Sequence, residues 1–205
     1  MKNLRSLQRG ITMMEVMVSV AVIATVLAVG IPNLSSWVQN TQVKSTAETV
    51  LTGLQLARGE AVRQNSRAKF LLTKNTDNSA DWTVITASSS VPNSFLLADG
   101  ATEIQKAAAA EMGVNARLNI ASGVQAAGDC STAITSGMGA SENVVFDAFG
   151  KVVSTTMTRI DVIKAGDTGA DNEQNSRRRV ILISQSGAAK LCRPGLPSSN
   201  PQGCP

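Results

Sequence analysis

Histidine is absent from the 205 residues, and so is tyrosine. Without imidazole the chain has no Ser-His-Asp or Cys-His nucleophile system, no imidazole general base and no imidazole metal ligand. Two tryptophans and four phenylalanines make up all the aromatic residues. That is too few for a stacking platform on single-stranded nucleic acid. The three cysteines, Cys130, Cys192 and Cys204, include no C-x-x-C spacing, so neither a redox motif nor a metal site is expected. Composition points away from catalysis and calls for no cofactor.

The net charge of +4 is unevenly distributed. Residues 1–10 carry Lys2, Arg5 and Arg9 with no acid, while residues 75–173 sum to −7 and residues 177–205 to +5. Much of the basicity therefore lies in a short N-terminal segment ahead of a polarised body. Sixteen of the twenty-one residues from 11 to 31 are apolar, and Val16 to Val43 contains no charge. At ~1.5 Å per residue this run just spans a ~30 Å hydrocarbon core. The preceding cations would hold the N-terminus in the cytoplasm, with the body outside.

Glu15 sits inside the apolar run, where an ionisable group is costly. It could snorkel to the headgroups. A cleaved signal peptide ending near Ala28-Val29-Gly30 is another reading, although an uncharged core is usual there. The segment Arg9-Gly10-Ile11-Thr12-Met13-Met14-Glu15-Val16, however, resembles the leader junction of type IV pilins and pseudopilins. The resemblance implies that a prepilin peptidase cuts between Gly10 and Ile11 and methylates Ile11. It also implies that Glu15 is the assembly glutamate and Pro32 the helix-kinking proline. Ile11 stands where that family most often has phenylalanine.

Beyond Pro32, Val43, Ala47, Val50, Leu54, Ala57 and Ala61 recur on one helical stripe. Residues 11–64 are thus predicted to form one long helix that stops at Gln64-Asn65-Ser66. Short strands are then expected at 68–73, 82–87, 117–121, 143–146, 151–153, 158–163, 178–184 and 189–191, with turns at 75–81 and 148–150 and a surface loop at 121–141. The expected fold class is α+β, a long N-terminal hydrophobic helix packed on antiparallel sheet in two small sheets. The expected organisation is a leader over 1–10, a membrane and assembly half of the helix over 11–31, an amphipathic half over 32–65 and a β-rich domain over 66–205.

The segments Leu54–Val62 and Arg178–Ser184, the latter followed by Ser186-Gly187 and Cys192, are similar to GspH/FimT-type minor pilins. The resemblance implies a disulfide between Cys192 and Cys204, with Cys130 outside it or one of the three pairing otherwise. It implies a structural, non-enzymatic minor pilin that initiates or caps a type IV pilus, with a minor pseudopilin of type II secretion as the alternative. The partners would be other major and minor pilins, the peptidase, and the inner membrane before assembly. A DNA-capture role is a further alternative. The Gly-Arg-x-Arg motif of some FimT-like pilins is replaced here by Gly187-Ala188-Ala189-Lys190, which leaves Arg177, Arg178, Arg179, Lys190 and Arg193 as candidate phosphate contacts. A solvated strand end is the simpler reading of those cations.

Overall fold

The computed structural model describes residues 10–76, 79–91, 93–113, 115–121, 130, 133–134, 137–166 and 178–204. For residues 29–36 only the helical course is described. The chain divides into two units, Met1–Val38 and Gln39–Pro205. Helix α1, Met13–Arg63, crosses that division.

In the first unit Thr12 opens α1. Its Oγ1 accepts the Glu15 backbone N–H at 3.2 Å, which satisfies one of the unpaired donors of the first turn. Thr12 and Glu15 occupy the spacing of a capping box. The large apolar side chains described at the start of α1, among them Ile11, Met13, Met14, Val18, Ile23 and Leu27, are exposed. Among the described residues no helix is long and apolar enough to cross a membrane. The helix assignment continues through Pro32, whose side chain lies outside the described residues, as does the leader over residues 1–9.

In the second unit the predicted stripe is the buried stripe. Val43, Ala47, Val50, Leu54, Ala57 and Ala61 are all essentially inaccessible and join the main core. The helix ends where Asn65 turns left-handed at φ 48°. There the Ser66 N–H donates to the Ala61 carbonyl and the Asn65 N–H to the Val62 carbonyl, a Schellman closure with asparagine at the left-handed position. The predicted stop is thus met.

Two antiparallel sheets follow. Sheet one runs in the order β3-β2-β1-β5-β6, from β1 (Ala68–Lys74), β2 (Ala80–Thr86), β3 (Thr102–Ala107), β5 (Ser141–Phe146) and β6 (Val152–Thr155). Sheet two runs β4-β7-β8-β9, from β4 (Ala116–Ala121), β7 (Arg159–Lys164), β8 (Arg179–Ile183) and β9 (Ala189–Cys192). The α+β expectation holds, and eight of these strands match the predicted ones within a residue or two. Strand β3 was not expected. It is an edge strand whose residues are mostly exposed, so it lacks the apolar alternation that marks a half-buried strand. Most of the predicted 121–141 loop lies outside the described residues.

The inner face of sheet one supplies Phe70, Leu72, Trp82, Val84, Val144 and Phe146 to the core beneath α1. Gly53 lets the helix come close to that face. A Cβ there would stand 2.7 Å from the Phe70 ring and 3.1 Å from Trp82.

Candidate functional site

Sheet two uses both of its faces, and this organises the C-terminal part of the chain. Alternation along β8 sends Ile181 and Ile183 into the main core and Val180 to a second, smaller cluster with Cys130, Cys192 and Cys204. Strand register then places Asn119, Asp161, Val180 and Cys192 opposite one another in a row across all four strands. That row is the floor of the site.

Asp161 lies in this row with no exposed surface. Arg159 grips it with two bonds, Nε to Oδ1 at 2.7 Å and NH2 to Oδ2 at 2.8 Å. Arg178 adds a third, from NH1 to Oδ2 at 2.8 Å. Such charge-assisted, forked pairing offsets the cost of taking a carboxylate out of water. The same groups hold the preceding chain against the sheet. The Ile134 N–H donates to Asp161 at 3.2 Å, Asn119 Nδ2 donates to the Ile134 carbonyl at 2.6 Å, and Arg178 NH2 donates to the Cys130 carbonyl at 2.6 Å.

Cys192 and Cys204 form the disulfide implied by the resemblance, with Cα atoms 5.1 Å apart. It closes a loop rich in proline, and by chain entropy a closure of this length is worth about 3 kcal/mol. Hydrogen bonds from the Arg193 N–H to Gln202 at 2.7 Å and from Lys190 Nζ to Gly203 at 3.1 Å reinforce it. Cys130 stands outside the disulfide, yet the three Sγ atoms lie within 4.8 Å of one another and all three residues are buried. Sequence spacing could not have shown this, because Cys130 is 62 residues from Cys192 and arrives by tertiary folding alone.

The candidate phosphate contacts do not form one solvent-facing patch. Arg178 is corrected outright: it is buried and bound to Asp161. Arg177 lies outside the described residues, Arg179 and Arg193 are half-buried, and Lys190 is exposed with its amine on the Gly203 carbonyl.

A second constellation explains the motif residues around Arg58 and Gly187. Arg58 Nε donates to the Gly150 carbonyl at 3.1 Å, which ties α1 to the β5–β6 turn. That turn is closed by Asp147, whose Oδ1 accepts the N–H groups of Phe149 and Lys151 at 2.9 Å. Gly187, at φ 81°, packs against the same carbonyl, and a Cβ there would lie 1.8 Å from the Gly150 oxygen. Helix, first sheet and second sheet meet at this point. On the same helix end, Glu60 accepts from Arg63 and Gln64, and these bonds hold its carboxyl below the usual range.

Of the processing and assembly candidates, Gly10, Ile11 and Glu15 are exposed at the start of α1, and only the helical course of Pro32 is described. Glu15 lies in the first turn of α1, and Ile11 just precedes the Thr12 cap.

Residues 46–187 match the model of the family described as type II transport protein GspH. Solved structures of the type IV minor pilin FimU from Pseudomonas aeruginosa are similar to this chain. One is 19% identical, with 82% of this chain and 99% of that chain covered at a TM-score of 0.45. A second crystal form is 21% identical over 79% and 99%, at 0.40. No curated protein matches.

Proposed function

The chain belongs to the GspH family of minor pilins and pseudopilins, and from that premise we propose that it helps to initiate or cap a type IV pilus after its leader is removed. The observation that carries the proposal is the character of the start of α1. From Met13 to Leu27 the helix presents large apolar side chains all round, with Glu15 as its single charge. A helix that is apolar all round needs cover, and the candidates are lipid before assembly and neighbouring helices in a filament.

Cleavage after Gly10 would create an α-amino cation at Ile11, one residue ahead of the Thr12 cap. A cation is unfavourable at the positive end of a helix dipole, and a carboxylate in the first turn offsets it. Glu15 is that carboxylate. In a packed filament it would pair with such an amine, its own or a neighbour's, where an uncompensated charge is costly. The pairing would set axial register along an otherwise undirected apolar surface. The C-terminal disulfide loop favours the pilus over the secretion pseudopilus, since it resembles the loop of many pilins.

The Glu15→Ala variant should be inserted and cleaved normally, with the mature mass lacking ten residues and carrying one added methyl, yet be absent from sheared filaments. Incorporation at the wild-type level would refute the role of Glu15. The family description itself supports a second reading, a minor pseudopilin of type II secretion. Deleting the gene separates the two: loss of surface pili with export intact supports the first, and loss of export with pili intact supports the second.

A further inference from the structure

The three cysteines are brought together by a built scaffold. Cys192 ends the Asn119-Asp161-Val180-Cys192 row, and Cys130 is held beside it because its carbonyl accepts from Arg178, which Asp161 fixes in turn. Cys204 reaches the same point from the C-terminal loop. All three Sγ atoms lie within 4.8 Å of one another, although one disulfide uses only two of them. A thiol held this close to a buried disulfide has a large advantage over any thiol in solution.

We propose that these residues form an internal thiol–disulfide exchange centre that latches and unlatches the C-terminal loop. Cys130 gives its proton to water and its sulfur attacks Cys192 Sγ. A Cys130–Cys192 bond forms, the Cys192–Cys204 bond breaks, and its electron pair leaves on Cys204 Sγ, which takes up a proton. One disulfide and one thiol are present before and after, so no external oxidant or reductant is needed. Cys192 is the sulfur attacked because Cys130 and Cys192 are both anchored on sheet two, Cys130 through Arg178 and Cys192 through the Val180↔Cys192 pairing. Cys204 lies outside the strands, at the far end of the loop. The product leaves the loop secured by the Arg193–Gln202 and Lys190–Gly203 hydrogen bonds, with a thiol next to the last residue of the chain.

The sequence allows a direct readout. Trypsin leaves Cys130 in the peptide 118–151, while the Arg193-Pro194 bond resists cleavage and keeps Cys192 and Cys204 together in 191–205. The native disulfide is therefore internal to one peptide, and exchange covalently joins two.

The full-length protein, in detergent and without reductant, is incubated with excess iodoacetamide at pH 7.5 and 8.5, quenched in acid and digested. The expected product is peptide 118–151 disulfide-linked to a 191–205 peptide alkylated at Cys204. It should form up to about tenfold faster at the higher pH, because the thiolate is the nucleophile. A Cys130→Ser control should give neither the link nor the alkylation. Alkylation at Cys130 with the disulfide still inside 191–205 would overturn the proposal, as would a chain that stays unmodified. Cross-linking that yields dimers on a non-reducing gel would overturn it as well.

Discussion

Asp161→Asn removes one negative charge while keeping the shape of the side chain, and the geometry sets how much that should cost. The carboxylate has no solvent exposure, accepts three guanidinium bonds of 2.7–2.8 Å, and also accepts the Ile134 N–H. At an effective dielectric of about 20, each close ion pair contributes on the order of 4 kcal/mol of attraction, largely cancelled by the desolvation needed to form it. The cancellation fails once one partner is neutralised. Two cations at the sheet then face an amide that can donate as well as accept, and breaking a buried pair in this way costs roughly 3–5 kcal/mol. For a unit of this size, 1 kcal/mol moves the Tm by about 2–4 °C, so the expected drop is roughly 6–20 °C. Calorimetry of the purified wild type and variant measures it. Replacing Arg178 by Met in the Asp161→Asn background should recover part of the loss by removing an uncompensated cation. A fall of less than ~1 kcal/mol, or a double variant no better than the single one, would refute the view that this network clamps the segment from Cys130 to Ile134.

Gly187→Ala combines a left-handed backbone with a Cβ only 1.8 Å from the Gly150 oxygen, so a loss of several kcal/mol is expected from strain and displacement together; a chemical-denaturation midpoint equal to wild type would contradict it. Gly53→Ala gains up to ~1 kcal/mol of helix propensity but pushes on Phe70 and Trp82, and overpacking of that kind costs about 1–3 kcal/mol; net stabilisation in urea titrations would show that the rings yield freely. Glu60 titrates below its ordinary value near 4.5 because of its bonds to Arg63 and Gln64, so its contribution is complete above that value and fades as pH falls through the lowered one. The Tm difference between wild type and Glu60→Gln should therefore be largest near neutrality and shrink towards pH 3, and a difference that grows on acidification would reverse the sign of the argument.

The long helix, its buried stripe, its stop at Gln64-Asn65-Ser66 and eight of the strands follow from local periodicity and turn chemistry, which neighbouring residues carry among themselves. The C-terminal disulfide was legible by resemblance, because its residues lie close together in the chain. Strand β3 carries no such signal, since an exposed edge strand has no apolar face to alternate. The burial of Arg178, its bond to Asp161 and the arrival of Cys130 beside Cys192 and Cys204 were decided by tertiary structure alone. Each depends on which strands become neighbours and which face of sheet two is covered by the segment from Cys130 to Ile134, which is 48 residues from Arg178 and 62 from Cys192 at its start. Arg178 illustrates the division: its charge and its place at the edge of a strand are written in the chain, but whether that charge meets solvent or a buried carboxylate depends on strand pairing, which one-dimensional spacing does not encode.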